Sequence, residues 1–197
     1  MEYALGDPTV EVEWQAIKVV LDAFKQFTLL ASSYMLAEGI GVDAGDGTLV
    51  PSGDGWYPVD TYLRALKRVA QEFGDRMMEE GGLAVPKYAE FPPHIRDITS
   101  ALESLDVAYH MNHRKSGALM FDMQTGKMTE GIGHYRYERP EPKKIIITSD
   151  GPYPHAYDLG IVSALSHRFE PRARTVHDDK KPCRKTGGTS CTYQVTW

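Results

Sequence analysis

From Glu11 to Glu38 the apolar residues Trp14, Ile17, Leu21, Phe24, Ala31 and Met35 fall at three- and four-residue steps and their multiples, the period of a helix. A second set, Val20, Phe27, Leu30 and Tyr34, covers the adjacent face. So wide a stripe fits burial in a core, with a further face, around Phe27, Leu30 and Tyr34, meeting a second copy in a homodimer. Gly39 to Gly55 holds six glycines, three aspartates and a proline, a loop composition. A helix follows with Asp60 as its N-cap, Tyr62, Leu63, Leu66, Val69, Ala70 and Phe73 on one face, and Gly74 as its stop. Asp75 to Glu80 reads as a short helix closed by Gly81-Gly82. Pro92-Pro93 opens another, bearing Ile95, Ile98, Leu102, Leu105 and Tyr109, since the first turn tolerates proline.

The period then changes to two. Ser116 to Asp122, Lys127 to Tyr137 and Lys143 to Ser149 are predicted strands, with Gln124-Thr125-Gly126 turning between the first pair and Pro140 and Pro142 interrupting the second gap. Ile145-Ile146-Ile147 marks a central strand. A helix is expected from about Ala156 to Phe169, then strands around 172–177 and 191–197. In the last strand Cys191, Tyr193, Val195 and Trp197 share a face. The expected fold class is α+β: a helical N-terminal half packed on a mainly antiparallel twisted sheet of about five strands, with one helix between the third and fourth. The 197 residues are read as one domain, 1–55 being an N-terminal helix and glycine-rich loop and 56–197 the core.

Composition narrows the partners. Hydrophobic residues make up 42% and charged residues 25%, as in a folded chain. A net charge of −5 argues against nucleic acid as a partner. No apolar run reaches a membrane span, and Met1-Glu2-Tyr3-Ala4 has no leader character, so a cytoplasmic location is expected. Two cysteines are too few for a disulfide scaffold.

Those cysteines, Cys183 and Cys191, flank Thr186-Gly187-Gly188-Thr189, a turn that would bring the thiols together as a hairpin. His177 lies six residues before Cys183, and His155 precedes the last helix. Two thiolates and two imidazoles suit a closed tetrahedral zinc site. A hairpin disulfide and two plain buried thiols are the alternatives, and a reducing compartment disfavours the disulfide. His110, His113 and His134 could pair with Asp106 or Asp122 for proton transfer, but no nucleophile–base set is evident. Neither a Gly-x-Ser-x-Gly elbow nor a phosphate loop occurs, and Gly131-Ile132-Gly133 lacks the following helix of a dinucleotide site.

The stretch from Pro152-Tyr153-Pro154-His155 through Gly160-Ile161-Val162, with Val176-His177-Asp178-Asp179, Cys183-Arg184-Lys185-Thr186-Gly187-Gly188 and Cys191-Thr192-Tyr193, resembles the 4-vinyl reductase domain superfamily. This group takes in phenol-responsive sensor domains, haem nitric-oxide-binding domains and small subunits of a Golgi transport tether. The resemblance covers about residues 105–197, and Trp56-Tyr57-Pro58 looks like its bacterial standalone branch. The phenol sensors hold a structural zinc with three cysteines and a carboxylate. The resemblance therefore implies zinc on Cys183 and Cys191, with His155 at the first cysteine's place. Lys180 stands where the carboxylate would be, which favours His177 as fourth ligand, with Asp178 or Asp179 as substitutes. The haem relatives use a helix-borne histidine and a Tyr-x-Ser-x-Arg triad. Here Tyr135 and Arg139 have the right ends but Tyr137 replaces serine, and His94 and His110 are the helix candidates, so haem is not expected.

The function expected is a small-molecule-binding sensory domain with a structural zinc. A small apolar or aromatic ligand would lie between the 93–112 helix and the sheet, against Tyr109, Met111, Met120, Phe121 and Tyr135. An enzyme acting on a tetrapyrrole or aromatic substrate, and a structural adaptor, are the alternatives.

Overall fold

A computed structural model describes residues 2–87 and 89–197. Met1, the first residue of the N-terminus read above for a leader, lies outside the described residues, as does Tyr88. In chain order the elements are β1 (Val10–Glu13), α1 (Trp14–Ala23), α2 (Thr28–Ala37), β2 (Val42–Asp43), β3 (Leu49–Val50), β4 (Trp56–Pro58), α3 (Val59–Phe73) and α4 (Asp75–Ala84). Then come α5 (Ile98–Glu103), α6 (Leu105–Met111), β5 (His113–Lys115), β6 (Ala118–Leu119), β7 (Phe121–Asp122) and β8 (Lys127–Met128). The chain ends with β9 (Tyr135–Glu141), β10 (Lys144–Ser149), α7 (His155–Phe169), β11 (Arg174–His177) and β12 (Cys191–Thr196).

The α+β class holds, but the sheet differs from expectation. Two four-stranded antiparallel sheets form, ordered β4-β1-β5-β6 and β11-β12-β10-β9, beside the ribbons β2-β3 and β7-β8. The expected helix between the third and fourth strands is α7, and it lies between the second and third strands, in chain order, of the β11-β12-β10-β9 sheet. Ile145 and Ile147 are fully buried on β10, which is flanked on both sides.

The N-terminal half is not purely helical. Val10-Glu11-Val12-Glu13 alternates buried and half-buried and pairs with β4 and β5 as a central strand. The expected helix from Glu11 to Glu38 is also broken after Phe24, where Lys25 takes a φ of 50°, the left-handed region a helix excludes. Phe27 and Tyr34 are half-buried inside the fold, Phe27 against Phe73 and Tyr34 beneath the Arg68 guanidinium, while Leu29 and Leu30 are exposed. Asp60 is not the cap of α3: it lies inside the helix, and its carboxylate accepts the Leu5 and Gly6 amides at 2.7 and 3.0 Å.

The helix opened by Pro92-Pro93 begins later, at Ile98, because Asp97 and Ser100 form a reciprocal capping box there. The predicted strand 116–122 starts in the Ser116-Gly117 turn that joins β5 to β6 and is divided at Met120 into β6 and β7, and Lys127 to Tyr137 is divided by Gly131 and Gly133. Pro140 does not interrupt the sheet, since it sits in β9, an edge strand.

Gly81-Gly82 does not end α4 either. These residues continue the helix because α4 crosses α7 at close range. A Cβ on Gly82 would lie 2.0 Å from the Tyr157 carbonyl oxygen, and one on Gly160 would lie 2.3 Å from that of Glu79. Two glycines facing each other set this separation, and α7 in turn packs on β11 and β12.

Alanine has the higher helix propensity by about 1 kcal/mol, so propensity alone predicts that Gly82→Ala and Gly160→Ala stabilise. The crossing predicts the opposite, a loss of about 1–3 kcal/mol or more for each from overpacking, measured by denaturant unfolding. Stabilisation by either change would show that the helices are not in this contact.

Candidate functional site

Cys191 opens β12, and Cys183 precedes a single helical turn, Arg184–Thr186. Gly187 closes that turn with a φ of 89°, and the Gly188 amide returns to the Cys183 carbonyl at 2.8 Å. Cys183 does not lie in a strand, so this turn, rather than a two-stranded hairpin, brings the Cys183 sulfur to 3.0 Å from the Cys191 sulfur. Both thiols are free and buried. Burial, helped by the neighbouring Cys191, pushes the Cys183 thiol up to about 11.

His177 ends β11, in register with Tyr193 of β12. One ligand atom each from His177, Cys183 and Cys191 lies within 4.8 Å of the others. The His177 Nδ1 meets Asp179 at 2.8 Å, and its Nε2 is buried without a hydrogen-bond partner among the described residues. Asp178 is engaged elsewhere, accepting the Gln194 side-chain amide at 2.7 Å. His155 begins α7, its ring 5.6 Å from that of His177. It groups with Cys183 and Glu2, whose carboxylate also lies 3.1 Å from the His155 Nδ1 and accepts the His155 amide at 2.7 Å. Of the four expected ligands, three form one cluster, and the fourth shares Cys183 with a second. Glu2 was not foreseen: it stands 153 residues from His155 and carries no motif.

Behind the thiols lies Arg184, whose side chain is fully buried. Its backbone amide donates to the Cys191 sulfur at 3.2 Å and its Nε approaches that sulfur at 3.5 Å. The guanidinium also donates to the Gly151 carbonyl and to Asp158 of α7. Asp158 accepts the Tyr135 hydroxyl at 2.5 Å as well. Burial opposes the Arg184 charge most strongly, but Asp158 together with the Cys191 sulfur and Tyr193 outweighs it, so the cation is retained. Neither residue was singled out from the sequence, since nothing local marks an arginine or aspartate for full burial.

The expected ligand wall divides. Tyr109, Met120 and Tyr135 are buried, Phe121 is half-buried, and Met111 is exposed. Tyr109 donates to the Ile132 carbonyl at 2.8 Å and meets Tyr135 edge-on, ring centroids 5.2 Å apart. His113 is buried beside them, its Nδ1 2.7 Å from the Tyr109 carbonyl and its Nε2 2.8 Å from the Tyr153 hydroxyl. Two surface hollows lie elsewhere: one of about 390 Å³ beside Phe24, Phe73 and Met77, and one of about 340 Å³ beside Trp14 and Pro51. His94 stands in an exposed turn, which leaves His110 as the helix-borne member of that pair. His134 precedes β9 and pairs with Asp106, Nδ1 to Oδ2 at 2.9 Å.

No family model matches the chain, and no curated protein matches it in sequence. Its fold is shared with solved H-NOX domains, one of the related groups named by the resemblance above. One, studied for the function of haem distortion in the H-NOX family, superposes with a TM-score of 0.63 at 13% identity, covering 94% of each chain. An H-NOX protein from S. oneidensis in the Fe(II)NO ligation state gives 0.61 at 13% identity, covering 93% of this chain and 97% of that one. An oxygen-binding H-NOX domain related to soluble guanylate cyclases gives 0.59 at 15% identity, over 93% and 94%. The expectation against haem is thereby corrected: the solved domains that share this fold include ones studied for their haem.

Burial, only partly offset by the bond the ring makes to the Tyr109 carbonyl, drives the His113 pKa from 6.5 down to about 4. The unfolded chain therefore takes up this proton first as pH falls. Above about pH 6.5 His113 is neutral folded and unfolded and has no effect; below it stability is lost progressively toward pH 4, about 3 kcal/mol in all. Unfolding free energies from pH 7 to 4 should show this loss, and His113→Gln should flatten it. An unchanged slope in the variant would contradict the assignment.

Proposed function

We propose that residues 1–197 act as one cytoplasmic small-molecule-sensing domain, its C-terminal loop tied down by a structural zinc ion. The observation that carries the metal is the His177 Nε2, buried without a partner beside two buried thiols, with Asp179 on the opposite nitrogen. A carboxylate on the far side of an imidazole fixes its tautomer and aims the free lone pair, as in zinc–histidine–carboxylate sites. Cys183, Cys191 and His177 supply three ligands and His155 the fourth, with Glu2 holding the His155 Nδ1 as Asp179 holds that of His177. Four protein ligands leave no position for water, so the ion's role is structural. Nothing in this arrangement calls for catalysis.

The sensory part rests on the fold shared with H-NOX domains. Haem is the cofactor that this fold points to, and when bound it would supply an iron that takes up small gases. The residue here with an axial ligand's form is His110: buried, borne on α6, its Nδ1 2.8 Å from the Asp106 carbonyl and its Nε2 unpartnered. An apolar or aromatic ligand would instead have to part Tyr109, Met120 and Tyr135. The closed packing of that layer favours a second reading, an adaptor that binds no ligand. A homodimer would use the α2 face, where Leu29 and Leu30 are exposed.

Elemental analysis and native mass spectrometry of the purified chain test both parts. One zinc per chain is expected, lost in Cys183→Ser together with a lowered melting temperature, and released as pH falls because thiolates must reprotonate. A chain free of metal, stably folded with reactive or disulfide-bonded cysteines, would contradict the zinc. Added haemin giving a Soret band that His110→Ala abolishes would establish the haem reading. Retention of neither haem nor any organic molecule would favour the adaptor.

A further inference from the structure

A second cluster lies away from the thiols, where α6 meets the segment before β9. Asp106 and His110 stand one turn apart on α6, and His134 reaches them from the neighbouring segment. One ligand atom from each lies within 4.8 Å of the others. The imidazoles of His110 and His134 are 5.0 Å apart, centroid to centroid. Each group is fixed from behind. Asp106 Oδ1 accepts the Tyr135 amide at 2.9 Å, and the His134 amide donates to Asp150 at 2.6 Å.

The hydrogen bonds do not balance without a further cation. His134 faces a carboxylate on both nitrogens, Asp106 at Nδ1 and Glu130 at Nε2, each at 2.9 Å. A neutral imidazole carries one N–H, so one of these contacts sets a lone pair against an anion. Either a second proton or a metal ion must occupy it. His110 points the same way. If its Nδ1–H donates to the Asp106 carbonyl, the lone pair is on Nε2, which is buried and has no partner among the described residues. With neutral imidazoles, Asp106 and Glu130 leave the cluster at a charge of −2, which a divalent ion cancels.

We infer that Asp106, His110 and His134 form a divalent transition-metal site, with Glu130 as the outer carboxylate on the His134 Nε2. Two imidazoles and a carboxylate are the donor set that suits zinc and its neighbours. Zinc bonds of about 2.0–2.2 Å require the three donors to close in slightly. Glu130 is exposed and His134 partly so, which leaves solvent a route to a fourth position. The inference goes beyond the sensory reading and does not depend on the C-terminal zinc. It uses the His110 imidazole, so haem on His110 and this ion exclude one another.

Cobalt(II) titration of the chelator-stripped full chain separates the two metal sites. A thiolate-bound ion gives a sulfur-to-cobalt charge-transfer band, and an ion held by nitrogen and oxygen gives ligand-field bands alone. The expected result is one equivalent beyond any thiolate-bound ion, bound at micromolar cobalt, without the charge-transfer band, and lost in both His110→Gln and His134→Gln. Absence of that equivalent, binding only at millimolar cobalt, its survival in His134→Gln, or haem occupying His110 would overturn the site. Should either variant fail to fold, ring resonances of His110 and His134 in the wild-type chain decide the matter, since added zinc must shift both. Loss of the charge-transfer band alone would count against the C-terminal zinc and leave this site standing.

Discussion

One buried ion pair organises the C-terminal half. Arg184 reaches from the loop after β11 to the Gly151 carbonyl before α7, to Asp158 on α7 and to the Cys191 sulfur that opens β12. Tyr135 of β9 joins through its hydroxyl on Asp158. Three segments and the thiol cluster thus share one charge that burial would otherwise make very costly. A pair this deep offers little net stability against well-packed apolar residues, but removing one partner strands the other. It therefore fixes which geometry is tolerated: the 184–186 turn has to close where the guanidinium finds Asp158, and that places Cys183 against Cys191.

The glycine crossing of α4 and α7 acts on the same helix from its other side. Gly82 and Gly160 let the two backbones approach, and α7 is held between α4 and the sheet. His155 at the start of α7, His177 at the end of β11 and Cys191 at the start of β12 are presented by regular elements, while Cys183 rides on a turn. Likeness to H-NOX domains at 12–15% identity establishes this architecture and leaves the ligand to the chain's own side chains. Among those, His110 is common to the haem reading and to the three-residue metal cluster, which makes it the most informative imidazole in the molecule.

What the sequence made legible follows from signal length. α3, α7, β10 and β12 carry clear periodicity and appear within one or two residues of their expected spans. Glu11–Glu13 of this strand read as the start of a helix because so few alternating residues look like the edge of a helical stripe until their strand partners, β4 and β5, are known. The break at Lys25 and the run of α4 through Gly81-Gly82 are decided by tertiary contacts that no local pattern carries. In the site, Cys183, Cys191 and His177 were legible because few residue types bind zinc and these stand close in sequence. Glu2, Asp158 and Arg184 were not, because their burial and partners arise only on folding. Among the possible pairings of His110, His113 and His134 with Asp106 or Asp122, the structure joins His134 to Asp106, but the lone nitrogen of His110 beside them has no sequence signature.

The Arg184–Asp158 pair acts as a unit on which the C-terminal geometry depends. A double-mutant cycle of Arg184→Met and Asp158→Leu, read as unfolding free energy, tests it most directly. Each single change should cost about 3–5 kcal/mol by leaving one buried charge unpaired. The double variant should recover much of that loss, giving a coupling of more than about 1 kcal/mol. Additive single effects, or singles costing less than about 0.5 kcal/mol as at an ordinary surface site, would contradict it.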